Sequence, residues 1–180
     1  MVHCWVKRLV YCCLLSLCFS VLASQNTLPL VASNVDLERY MGTWYEVASF
    51  PNFFQRGCRC SQAHYQLDGQ YVRVLNQCYQ GKHNQLKRAK AKAWQAKGGH
   101  SSQLKVQFFW PFRADYWILY VSPNYQEAIV GSPSRRYLWF LSRTKKISQK
   151  RYQYLVSIAE KQGYDVKKLH ITDQKCEHSQ

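Results

Sequence analysis

Apolar and polar residues alternate with a period of two through most of the chain from Thr43 to Ser142, which is the pattern of half-buried strands. Thr43 to Phe50 is rich in β-branched and aromatic residues, and Pro51 ends it. The runs CRCSQAHYQL and QYVRVLNQCY, between Cys58 and Tyr79, flank Asp68-Gly69, a strong short-range signal for a hairpin. In Leu86 to Gln95, LKRAKAKAWQ, period two places Arg88, Lys90 and Lys92 on one face and Ala89, Ala91 and Ala93 on the other. Such small inward residues leave room inside. Gly98 and Gly99 with two serines turn the chain, and Leu104, Val106 and Phe108 then alternate with Gln103, Lys105 and Gln107. Trp110 to Arg113 break the run. Strands resume over Asp115–Val121, Tyr125–Val130 and Arg136–Ser142, with turns at Ser122-Pro123-Asn124 and Gly131-Ser132-Pro133-Ser134.

A period of 3.6 appears once. Tyr152, Leu155, Val156 and Ala159 stand at i, i+3, i+4 and i+7 behind a Ser148 cap, and Gly163 stops the helix they predict. A short strand over Leu169–Thr172 follows, and an extended arm over Gln25–Asn34 and a helical turn at Val35–Glu38 precede the sheet. Eight strands joined by short turns need to bury their edges, and closure does that. The expected fold is all-β: an eight-stranded antiparallel up-and-down β-barrel with one C-terminal helix packed outside. Barrels of eight strands can be filled by side chains or hold one small ligand, and the alanine row points to a ligand space.

Charge and cysteines then place the chain. Lys7 and Arg8 precede an apolar run from Leu9 to Leu22, so residues 1–23 read as a secretory signal cleaved near Ala23, leaving 24–180 as one barrel domain. The run is shorter than the ~20 residues of a spanning helix. Leu17 before Cys18 departs from the small residue that bacterial lipoprotein signals require there. The mature chain would be periplasmic or secreted, with outer-membrane association a further option. It keeps 23 basic against 10 acidic residues, a net charge of +13 that favours anionic partners. Cys58, Cys60, Cys78 and Cys176 remain, an even number that reads as two disulfides in an exported domain. With the hairpin turn near Asp68, Cys58 faces Cys78, and elimination pairs Cys60 with Cys176. The competing reading is a soft-metal site built on Cys58-x-Cys60, although its spacing fits no standard zinc pattern.

Several ordered motifs resemble those of the lipocalin family, in the branch of the bacterial lipocalins and apolipoprotein D. Gly42-Thr43-Trp44-Tyr45-Glu46 matches the Gly-x-Trp start, Asp115-Tyr116 the middle motif, and Arg143 the third. Tyr164 to Lys168 and Thr172 to Cys176 are similar to the tail of apolipoprotein D, and the similarity runs from about Val35 to Cys176. The resemblance implies that Gly42, Trp44 and Arg143 hold the fold, with the guanidinium stacked on the indole at the closed end of the barrel. It also supports the Cys60 to Cys176 bridge. Through apolipoprotein D it implies Tyr65, Asn76, Phe108 and Trp139 as ligand contacts, while strand parity adds Ala63, Ala89, Ala91 and Ala93.

The leading function is binding, storage or transport of a lipophilic small molecule, such as a fatty acid, a lysophospholipid or another membrane-derived lipid. It involves no enzyme activity, cofactor or metal. Phe53 and Phe54, in the loop Pro51–Gln55, read as a lid over the mouth or a membrane-touching tip. Lys82, Lys87, Arg88, Lys90, Lys92 and Lys97 could hold the protein at an anionic membrane surface or form a solvated face. Two other classes of function fit the sequence less well. An enzyme would have to use an unpaired Cys78 as nucleophile, since the chain lacks Gly-x-Ser-x-Gly, zinc-hydrolase and phosphate-loop patterns. Nucleic acid is invited by the charge but fits no reading motif.

Overall fold

The computed structural model describes residues 27–81 and 83–176. The signal segment and Lys82 lie outside the described residues. A four-residue helix α1, Leu37–Tyr40, leads into β1, Gly42–Ser49. Then come β2 (Cys58–Asp68), β3 (Tyr71–Gln80), β4 (Gln85–Gln95), β5 (Gln103–Phe109), β6 (Phe112–Val121), β7 (Glu127–Gly131) and β8 (Leu138–Ser142). Helix α2 is Gln149–Lys161, and a two-residue strand β9, His170–Ile171, ends the list. Each strand from β2 to β8 pairs antiparallel with the next, and β1 pairs with both β8 and β2, so the sheet closes into an eight-stranded barrel. The short β9 adds to the outside through β1, with Ala48 opposite Ile171.

Closure needs bends, and four register irregularities supply them: Glu46/Ala48 in β1, Arg59/Gln62 in β2, Val106/Phe109 in β5 and Ile118/Tyr120 in β6. Cys60, with a φ of 51°, lies inside the β2 bulge. The first hairpin turns at Asp68 opposite Tyr71, and beyond the bulge Cys58 stands opposite Gln80, so the expected Cys58 to Cys78 alignment is displaced. The bridge forms along the diagonal, with Cα atoms 5.5 Å apart. Cys60 joins Cys176, whose Cα is 6.2 Å away and 116 residues along the chain. Both sulfur pairs are thus engaged, which removes the Cys58-x-Cys60 metal alternative.

Strand boundaries depart from the pattern mainly at β6. It begins at Phe112, not Asp115, because Phe109 pairs with Phe112 across a tight turn at Trp110-Pro111.

Two clusters divide the buried residues. The inner one joins Trp44, Ala63, Tyr65, Val72, Val74, Ala91, Ala93, Val106, Ile118, Ala128, Val130 and Leu141. The outer one packs α2 on the barrel: Leu155 and Ala159, both fully buried, meet Trp117, Leu119, Ile129, Leu138 and Phe140. Ser148 caps α2 by accepting from the Arg151 N–H at 3.3 Å, and Gly163 ends it in the left-handed region at φ 79°. Burying Leu155 alone contributes ~2 kcal/mol.

Candidate functional site

The barrel has one sealed end. Trp44 is fully buried, its indole N–H donates to the Tyr40 carbonyl at 2.8 Å, and the Arg143 guanidinium lies 3.8 Å above its ring. Arg143 also donates to the carbonyls of Thr43 (2.9 Å), Arg39 (2.9 Å), Met41 (2.7 Å) and Tyr125 (3.3 Å). One side chain therefore ties α1, β1 and the β6–β7 turn together. Gly42 makes this possible, since its φ is 91° and an added Cβ would stand 3.3 Å from the Arg143 Nη1. Burial lowers the Arg143 pKa from its ordinary value, and neighbouring Tyr40 and Tyr65 oppose that shift.

Above this floor lies a group of three phenols. The Tyr116 hydroxyl is 2.9 Å from that of Tyr40 and 2.9 Å from that of Tyr65. Burial pushes the Tyr65 pKa up to about 12 and raises those of Tyr40 and Tyr116 well above the ordinary value, so all three stay neutral. Tyr116 belongs to the Asp-Tyr motif, but nothing in the alternation showed that three phenols from α1, β2 and β6 would meet.

Beside them on β2, β3 and β4 the inward residues are smaller. Ala63 pairs with Asn76, which pairs in turn with Ala89; Val74 pairs with Ala91 and Val72 with Ala93. Ala63, Tyr65, Ala91 and Ala93 are buried as parity requires, and the Asn76 Oδ1 is buried without a hydrogen-bond partner among the described residues. Ala89 differs. It has the inward parity but is exposed, because β4 and β5 pair over Lys92–Gln95 and Leu104–Gln107 and separate beyond. Phe108 differs for a related reason: it stands past the irregularity after Val106, where β5 parts from β4, and it is 42% exposed.

The mouth lies at the end opposite Arg143, among residues 50–57, 80–85, 109–112 and 132–137. Trp139 sits on its inner wall, partly buried against the inner cluster. Its indole N–H donates to the Gln55 Oε1 at 2.9 Å, and the Gln55 Nε2 donates to the Glu46 carboxylate at 2.7 Å. Ser49 (2.9 Å) and Thr172 (2.6 Å) donate to the other oxygen of Glu46. Glu46 thus latches the 53–55 turn to the wall. Alternation alone concealed this network, since its partners come from β1, the loop and the chain's end. Phe54 rests on Tyr137 (5.9 Å) and Trp139 (6.5 Å), whereas Phe53 is 76% exposed. Among the described residues no His, Cys, Asp and Glu side chains gather where a metal could sit.

A small antiparallel barrel with one plugged end, one open end and small inward side chains defines a class of small-ligand-binding barrels. The particular family follows from comparison, for residues 35–174 match the model of the Lipocalin-like domain. The chain belongs to the lipocalin family, whose members bind small hydrophobic ligands. It is 41% identical over 155 residues to temperature-induced lipocalin-1 of Arabidopsis thaliana, covering 80% of this chain and 82% of that one. It is 36% identical to the outer membrane lipoprotein Blc of Escherichia coli K12 (84% and 88% covered) and 33% identical to apolipoprotein D of Macaca fascicularis (82% and 82%). Among solved structures, lobster apocrustacyanin A1 shares the fold at a TM-score of 0.66 and 18% identity, over 84% of this chain and 93% of that one.

Proposed function

We propose that the protein carries or scavenges a lipophilic small molecule of the fatty-acid or lysophospholipid type in the interior of the barrel. The observation that carries this reading is the row of small buried side chains on the inner wall, Ala63 beside Trp44 on β2 and Ala91 and Ala93 on β4, facing the large aromatic residues of the floor. An acyl chain against such a wall gains ~0.8 kcal/mol per buried methylene, and the Asn76 amide and the rim can meet the polar end. Tyr65, Trp139, Phe54 and the mouth-side Ala89, Phe108 and Phe53 complete the proposed contact set. The basic, then apolar start of the chain supports export, as does the likeness to a protein named an outer membrane lipoprotein.

Mass spectrometry of small molecules extracted from natively purified protein tests the reading. A recovered lipid, displaced by a fluorescent fatty acid, is the expected result. Recovering none, with no saturable binding of that probe, would falsify it. Replacing Phe53 and Phe54 together by Ser should weaken probe uptake while leaving the melting temperature nearly unchanged.

A further inference from the structure

Among the described residues, four of the eight exposed aromatic side chains sit on one hairpin. On the β4 side, β5 is paired only up to Gln107, and on the β7 side, β6 is paired only from Trp117 onward, among the described residues. Between those limits the two strands have only each other, through Val106 with Ala114 and Phe109 with Phe112. The result is a two-stranded ribbon whose tip is unpaired on both outer edges, while β4, paired with β3, continues apart from it to Gln85. Its tip carries Phe109 (67% exposed), Trp110 (83%) and Phe112 (67%), with Phe108 at its base. Scattered exposed apolar residues need no explanation, but a contiguous set on one unpaired tip does. The Phe109 and Phe112 rings pack edge to face at 5.5 Å, so the wedge is already formed.

The four segments that carry the wedge and the rest of the rim hold charge of a single sign. The segments 50–60, 80–92, 107–114 and 131–137, which make up the open end, contain no Asp or Glu, and they hold ten of the 25 Lys and Arg residues. Arg56, Lys87, Arg88, Arg113 and Arg136 are exposed there, with Arg113 set 5.5 Å from the Trp94 ring at the foot of the ribbon. A second copy of the chain would bring two such rims together and be repelled. An apolar wedge in a cationic ring fits an anionic bilayer, where aromatic rings settle at headgroup depth, apolar faces enter ~5–10 Å, and Lys and Arg meet phosphates.

We propose that the β5–β6 tip is a membrane anchor that inserts into the interface of an anionic bilayer and holds the mouth of the barrel against the lipids. This deepens the lipid-carrier reading by naming where its ligand enters, although the anchoring itself does not require that reading. The test uses the mature, disulfide-bonded chain, sedimented with vesicles of phosphatidylcholine alone and of phosphatidylcholine mixed with phosphatidylglycerol. Wild type should bind the mixed vesicles, and added salt should weaken that binding. The variant F109S/W110S/F112S should bind them at least about tenfold more weakly, yet displace a fluorescent fatty acid normally in vesicle-free buffer, which shows that it is folded. Lipids brominated on the acyl chain should quench part of the tryptophan emission of wild type, and that part should be absent in W110F.

A triple variant that sediments like wild type overturns the proposal, as does quenching identical in wild type and W110F. Wild type that ignores both vesicles but binds the fatty acid also overturns the anchor and leaves the carrier reading standing. Vesicle binding without fatty-acid binding does the reverse. A dimer that the triple variant abolishes, with no vesicle binding, assigns the tip to a second copy and overturns the proposal.

Discussion

Replacing Arg143 by Ala removes the cation above Trp44 and the donors that reach four carbonyls around it. A cation shielded against an indole contributes ~1–2 kcal/mol. The three shorter bonds, at 2.7 to 2.9 Å, come from a charged donor and each represent ~1 kcal/mol once water re-solvates the freed carbonyls at this half-buried position. The expected loss is about 4 kcal/mol, which for a chain of this size lowers the melting temperature by ~8–16 °C. Arg143→Lys keeps the charge but not the fork that spans these carbonyls, so it should recover only ~1 kcal/mol. Urea unfolding followed by tryptophan fluorescence measures both differences. Probe affinity at temperatures where the variants remain folded should not change, because Arg143 closes the floor and the proposed contacts lie above it. An Arg143→Ala variant within ~1 kcal/mol of wild type, or a Lys variant equal to wild type, would refute the plug energetics.

Other outcomes follow from other packed groups. Gly131→Ala places a Cβ 2.4 Å from the Tyr164 Oη and 2.9 Å from the Leu119 Cδ1, and should destabilise by ~2–3 kcal/mol in urea titrations, with partial recovery when Tyr164→Phe is added. The buried phenols have folded pKa values above the unfolded value of 10.0, so their contribution to stability is complete below that pH and is lost as pH rises towards about 12 for Tyr65. Tyr116→Phe should flatten this alkaline loss in denaturation midpoints compared across pH. Cys60→Ser with Cys176→Ser opens a loop spanning 116 residues and should lower stability by ~4–5 kcal/mol in the chain-entropy model, measured against wild type by calorimetry.

Alternation with turn chemistry determined the strand count, the hairpin order, the Ser148 cap and the Gly163 stop, because each is a local choice that the next few residues settle. Resemblance to the lipocalin motifs, not any local pattern, brought Trp44 together with Arg143, 99 positions further on. The tertiary structure decided what depends on register. The first hairpin turns between Asp68 and Tyr71 and not on Asp68, and the bulge at Cys60 takes back one residue of that shift, so the Cys58 to Cys78 bridge runs diagonally; Phe108 stands past the bulge after Val106 and is exposed. Ala89 kept its predicted face and lost its cover because β4 and β5 part company there, a matter of barrel curvature that a two-residue period does not encode. The Tyr40, Tyr65 and Tyr116 cluster and the Glu46 to Gln55 latch join segments far apart in the chain, where long-range closure does the selecting. Trp110 to Arg113 read in the sequence only as a break between strands, not as an apolar tip. Only the free ribbon beneath it showed that the Phe109, Trp110 and Phe112 rings face outward and leave the barrel unfilled by them.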